Sequence, residues 1–201
     1  MAGRRRAWSR PHGAEIPNRP GDRDSHGLFY GLGRCISAWE GVQAQVSGLY
    51  MRLLVEQDEC LLTQKLENFG RNDNVHKRAC TLKDTLENFL AMNSHIFLQS
   101  KNLLRSKIKK LVEPYVEFAA RRNEIAHGYV TECLTPDYSH PDQPIIRTYS
   151  LLPSHSRHHQ WPHVEPEYNY RSSELLYFAG EFEKLDAKFQ EAYEAVESIK
   201  A

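Results

Sequence analysis

The sequence predicts an all-α protein: a bundle of four to five helices with one long irregular insertion before the last helix. Three observations predict it. From Leu28 onward apolar residues recur at spacings of three and four, the period of an amphipathic helix. A cluster of turn formers, Gly70-Arg71-Asn72-Asp73-Asn74, divides one long helical pattern into two. Residues 130–171 then abandon the pattern, with six prolines and several Tyr and His.

Taken in order, residues 1–27 are rich in Arg, Pro, Gly and Asp and show almost no apolar periodicity. Such a segment buries too little surface to offset its ordering entropy, so the expectation is a disordered tail. The helical domain is expected over 28–201. Its first helix, Leu28 to about Val55, carries Leu32, Ile36, Trp39, Val42, Val46, Leu49 and Leu53 on one stripe. Gly31, Gly33, Gly41 and Gly48 each weaken it by about 1 kcal/mol relative to Ala, a cost that close helix packing must offset. A second helical region spans about Glu59 to Leu90, broken near residues 70–74.

The third helix spans about Phe97 to Ala126. Pro114 inside it lacks a backbone donor and crowds the preceding turn, which predicts a kink or break there. Gly128 is expected to end the helix in or near the left-handed conformation. The following segment, 130–171, reads as a long loop with room for a strand at Ile145–Leu152; loops of this length are unusual in a compact domain. The last helix, about Ser173 to Ile199, has Ser172 as its expected N-cap and Glu174 against the positive end of its dipole. Its stripe of Leu175, Phe178, Phe182, Leu185, Phe189, Ala192 and Val196 alternates three and four.

Composition excludes several classes. Lys+Arg and Asp+Glu are both 26, so net charge does not point to a nucleic-acid partner, whereas distribution does. Between Lys101 and Arg122, the seven basic residues Lys101, Arg105, Lys107, Lys109, Lys110, Arg121 and Arg122 stand against only Glu113 and Glu117. No apolar run reaches the roughly 18 residues of a membrane span. The four cysteines (Cys35, Cys60, Cys80, Cys133) form no C-x-x-C pair, which suits reduced thiols and a cytoplasmic protein. His155, His158, His159 and His163 cluster around Trp161 but lack Cys or carboxylate partners at ligand spacing, so no metal and no cofactor is expected. Tyr149, Trp161, Tyr168 and Tyr170 are read as anchors of the long segment, with base stacking as the other role open to them.

The chemistry concentrates at Arg121-Arg122-Asn123-Glu124-Ile125-Ala126-His127-Gly128. A guanidinium forks onto phosphate, and an imidazole exchanges a proton near neutral pH. Asn123 and His127, at i and i+4, share a helix face, while Arg122 stands about 140° from His127 and needs its long side chain to reach across. His127 also lies at the negative end of the helix dipole, a place that suits a cation. The same residues admit a plainer role, since Arg and His near a C-terminus bind its last carbonyls.

Arg122-Asn123-x-x-x-His127 resembles the R-polar-x3-H signature of the HEPN family, and Ile125-Ala126-His127-Gly128 resembles its usual setting. The resemblance rests on about eight residues and an all-helical plan over roughly residues 28–200. It implies a helical bundle acting as a metal-independent endoribonuclease, in a toxin–antitoxin or defence role, as a homodimer with paired motifs and with RNA as substrate. A cognate antitoxin protein is a further partner implied. Carried over residue by residue, Arg122 steadies the scissile phosphate, His127 acts as general acid or base for attack by the ribose 2′-OH, and Asn123 orients the phosphate or the imidazole. Arg121, Lys107 and Lys110 are the expected RNA-backbone contacts. The alternative implied by the same family is a non-catalytic module that binds a nucleotide or a partner protein. Pro114 and the long 130–171 segment depart from the family's pattern.

Overall fold

The computed structural model describes residues 6–16, 19–55, 58–72, 74–136, 145–154 and 166–200. They form five helices, α1 (Ser25–Leu53), α2 (Glu59–Gly70), α3 (Val75–Met92), α4 (Leu98–His127) and α5 (Ser172–Lys200), and two strands, β1 (Tyr129–Pro136) and β2 (Ile145–Leu152). The protein is therefore mostly helical with one small antiparallel sheet. Two compact units share the chain: Met1–Ala38 with Ala120–Glu181, and Trp39–Ala119 with Phe182–Ala201. Each of α1, α4 and α5 contributes a segment to both.

The second unit (39–119 and 182–201) has a core of rings and branched aliphatics. Trp39 stacks on Tyr115 at 5.7 Å and meets Phe182 edge-on at 5.2 Å, geometries that suit the aromatic quadrupole. Around them Val42, Val46, Leu82, Leu86, Phe89 and Ile108 are fully buried. The predicted break between α2 and α3 is present and well capped. Asp58 accepts hydrogen bonds from the Cys60 and Leu61 amides, and Asn74 from Lys77, satisfying donors that a helix start leaves open. Arg78 closes the turn by donating to the carbonyls of Asn72 and Gly70. α4 runs as one helix through Pro114; of the kink or break expected there, the break does not occur. Buried Leu111, Val112, Tyr115, Phe118 and Ala119 on either side of the proline hold the helix by packing, which outweighs one lost backbone bond.

The first unit (1–38 and 120–181) gathers the start of α1, the end of α4, the hairpin and the start of α5. β1 pairs with β2 from Tyr129↔Leu152 to Pro136↔Ile145, so part of the expected long loop is a regular hairpin. Beyond it, single bridges join Asp22 to Tyr149 and Leu151 to Tyr170, giving part of the outer edge of β2 backbone partners that blunt it.

Residues 1–27 depart most from expectation. Their described part is docked onto this unit. Ala14 is fully buried and its carbonyl accepts from the Asn169 amide at 2.8 Å. Arg19 donates to the Asn169 carbonyl and to both Glu174 oxygens. The Asp22 carboxylate accepts from the Ser172 amide at 2.7 Å. Anchorage is by ion pairs and backbone bonds instead of an apolar stripe, which is why composition alone reads this segment as a tail. The cap of α5 is shifted for the same reason. The Glu174 carboxylate accepts from the Arg171 amide at 2.7 Å, as the acidic partner of a capping box does, and Asp22 takes the Ser172 amide, so Ser172 is the first helical residue and not the cap.

Candidate functional site at the end of α4

The last turns of α4 lie in the first unit and sort their side chains sharply. On a helix at about 100° per residue, Arg121, Glu124 and Ile125 fall on one side. Arg122, Ala126, Asn123 and His127 fall on the other, within an arc of about 140°. The structure follows this division. Ile125 is buried at 1% exposure, whereas Asn123, Ala126 and His127 are exposed and Arg122 is half-buried. Arg122 Nη1 donates to Asn123 Oδ1 at 3.3 Å. Ala126, the smallest side chain on the arc, lies between Arg122 and His127 on the helix surface. Asn123, Ala126 and His127 thus face outward at the helix end, with Arg122 half-buried at one edge of the arc and bonded to Asn123.

The residue that holds this surface outward is one that motif reasoning passed over. Glu124 Oε1 accepts from Arg10 Nη2 at 2.8 Å, while Glu124 Oε2 accepts from Arg121 Nη1 at 2.8 Å and from Tyr170 Oη at 2.5 Å. Its carbonyl accepts from Tyr168 Oη at 2.9 Å. Burial, and then the adjacent carboxylate, push the Tyr170 phenol well above its ordinary pKa, so it remains a donor through the neutral range. Tyr168 and Tyr170 stack at 4.8 Å; they anchor the chain after the hairpin and are buried. Sequence carried one signal for Glu124: an acidic residue between two arginines and an apolar stripe position.

Gly128 joins α4 directly to β1. Among the described residues the only positive φ belongs to Gly13, so Gly128 is not the left-handed cap expected of it. Its small size is what matters. A Cβ there would stand 2.9 Å from Leu151 Cγ and 3.0 Å from the Leu152 carbonyl.

The expected RNA-backbone cations are placed differently. Arg121 is turned to Glu124 and is not part of the outward arc. Lys107 and Lys110 belong to the other unit, where Lys107 Nζ lies 3.3 Å from Glu191 Oε2 and Lys110 is exposed. Among the described residues, all ten lysines fall in that other unit and nine of the thirteen arginines in the unit carrying the motif. The histidine cluster around Trp161 lies outside the described residues, and among the described residues no group of His, Cys, Asp and Glu is arranged to hold a metal. No helix among them is long and apolar enough to cross a membrane.

No family model, no curated protein and no solved structure matches the chain. The geometry of the helix end therefore bears the functional argument.

Proposed function

We propose that this protein is a metal-independent endoribonuclease of HEPN type, built on a helical bundle and working in the cytoplasm. The observation that carries the reading is the end of α4, where Asn123 and His127 are exposed, half-buried Arg122 donates to Asn123, and Glu124 and Ile125 are turned inward. Arg122 supplies the fixed fork that grips a phosphodiester and follows its growing negative charge. Asn123, hydrogen-bonded to Arg122, holds the guanidinium in position. His127 takes the proton of the ribose 2′-OH as that oxygen attacks phosphorus. The P–O5′ bond breaks, and the products are a 2′,3′-cyclic phosphate and a 5′-hydroxyl.

The leaving 5′-oxygen needs a proton as well. A homodimer that sets two such helix ends across one cleft provides a second imidazole as the acid, which makes pairing part of the chemistry. By the same resemblance the biological setting is a toxin–antitoxin or defence system, with an antitoxin protein as controlling partner.

The test is cleavage of an end-labelled mixed RNA in excess EDTA by the parent protein and by His127→Ala. The expected result is cyclic-phosphate products from the parent alone, with far-UV spectra and melting temperatures that agree, since His127 is exposed. Folded protein that cuts none of several RNAs overturns the ribonuclease reading in favour of a non-catalytic module.

A further inference from the structure

The first half of α1 presents a surface that the motif does not use. Leu28, Gly31 and Cys35 turn inward. Leu28 and Cys35 are buried, a Cβ on Gly31 would lie 2.9 Å from Leu175 Cβ, and Cys35 Sγ donates to the Leu175 carbonyl. The opposite face is open. His26, Phe29, Tyr30, Gly33, Arg34 and Ser37 are all exposed and occupy an arc of about 140°, along some 16 Å of helix. Phe29 and Tyr30 are exposed at 57% and 58%, unusual for two adjacent large rings.

Three features select the occupant. The arc bears an arginine and a histidine as far as Ser37, with exposed Glu40 following on the same face one turn on. Arg34 Nη1 donates to Tyr30 Oη at 3.2 Å, setting a guanidinium beside a ring. Gly33 has nothing within 4 Å of the place its Cβ would take, which leaves room for a flat group between the side chains. Rings with cations and open space between them suit the bases and phosphates of a single strand. A duplex keeps its bases stacked inside, beyond reach of rings on a convex helix.

We infer that this face of α1 is a stacking platform for single-stranded RNA, with Phe29 and Tyr30 on bases and Arg34 and His26 on the backbone. The choice of RNA rests on the ribonuclease reading, which the platform deepens by naming unpaired strands as the substrate class.

The experiment measures fluorescence anisotropy of a labelled single-stranded oligonucleotide of mixed RNA sequence and of the matching duplex. It is done in a His127→Ala background so that no cleavage intervenes. The Phe29→Ala/Tyr30→Ala pair should weaken single-strand binding about tenfold per ring lost. Phe29→Leu/Tyr30→Leu, which keeps apolar bulk and so guards against a folding defect, should weaken it similarly. Arg34→Ala should lower the slope of log affinity against log salt by about one.

Parent-like binding by both ring pairs, preference for duplex, or no RNA binding by the starting protein would each overturn the platform. Loss of self-association in light scattering, with RNA affinity unchanged, would make the face a protein interface instead. Binding that depends on the rings in a protein that never cleaves would overturn the nuclease reading alone. Cleavage unaffected by the ring pairs, with binding equally unaffected, would overturn the platform alone.

Discussion

Arg10 Nη2 lies 2.8 Å from Glu124 Oε1, across a sequence separation of 114 residues. The two side chains are 21% and 14% exposed, and Arg10 also sits over the Tyr168 ring at 5.5 Å. An arginine in a proline-rich N-terminal stretch is thereby part of the scaffold behind the motif. Its contact holds Glu124 inward and, by the geometry of the helix, Asn123 and His127 outward.

Breaking that contact should loosen the end of α4. Arg10→Ala leaves Glu124 with Arg121 and Tyr170 as donors and also removes the bonds of Arg10 to the Glu167 carbonyl and carboxylate; losing the part-buried charge-assisted bond to Glu124 should cost about 2 kcal/mol. In urea the midpoint should fall with the slope unchanged. A midpoint equal to that of the parent would mean that the Arg10 contacts contribute nothing to the fold.

Arg122→Lys keeps the charge and loses the fork. If Arg122 grips the scissile phosphate, kcat/KM for RNA cleavage should drop at least about tenfold, the effect of roughly 1.4 kcal/mol. Stability should stay within about 0.5 kcal/mol, as for other changes away from the core. Parent-like kinetics for this variant would remove Arg122 from the site.

Two glycines should respond to alanine with opposite signs. Gly128→Ala drives a methyl into Leu151 and the Leu152 carbonyl and should destabilise by about 1–3 kcal/mol. Gly33→Ala meets nothing within 4 Å and should stabilise the exposed face of α1 by up to about 1 kcal/mol. Thermal melts of the two variants would settle both, and a stabilised Gly128→Ala would contradict the close approach described at the α4–β1 junction.

The thiols should separate by exposure. Burial pushes the Cys35 thiol up to about 12, and its Sγ is bonded to the Leu175 carbonyl. Cys60 and Cys80 are exposed and Cys133 is half-buried. At pH 8 a disulfide reagent should label Cys60 and Cys80 quickly and Cys133 slowly. Cys35 should react only at the rate of unfolding, since the thiolate is the reactive form. The native state holds the Cys35 proton more tightly than the unfolded chain, whose ordinary value is 9.0. The stability this confers is complete below about pH 9 and is lost as pH rises towards 12. Rapid labelling of all four thiols would refute the burial of Cys35.

Local pattern was sufficient for the helices. The three-and-four stripes, the turn at residues 70–74 and the strand at Ile145–Leu152 are all properties of contiguous sequence, and each appears in the structure within a few residues of where it was expected. The string from Arg122 to His127 is local too, and helix geometry alone places Asn123 and His127 on one face. What sequence could not decide is which polar residues are spent on the fold. Arg10, Arg19 and Asp22 resemble the charges of a solvated tail, and only distant partners (Glu124, Glu174 and the Ser172 amide) make them anchors. Arg121 resembles Arg122 until Glu124 is seen to take it, and Gly128 resembles a helix cap until Leu151 is seen beside it. Apolar periodicity repeats along the chain and can be read from it. A single ion pair or a close approach between residues more than a hundred positions apart leaves no periodic trace, so tertiary structure alone decides it.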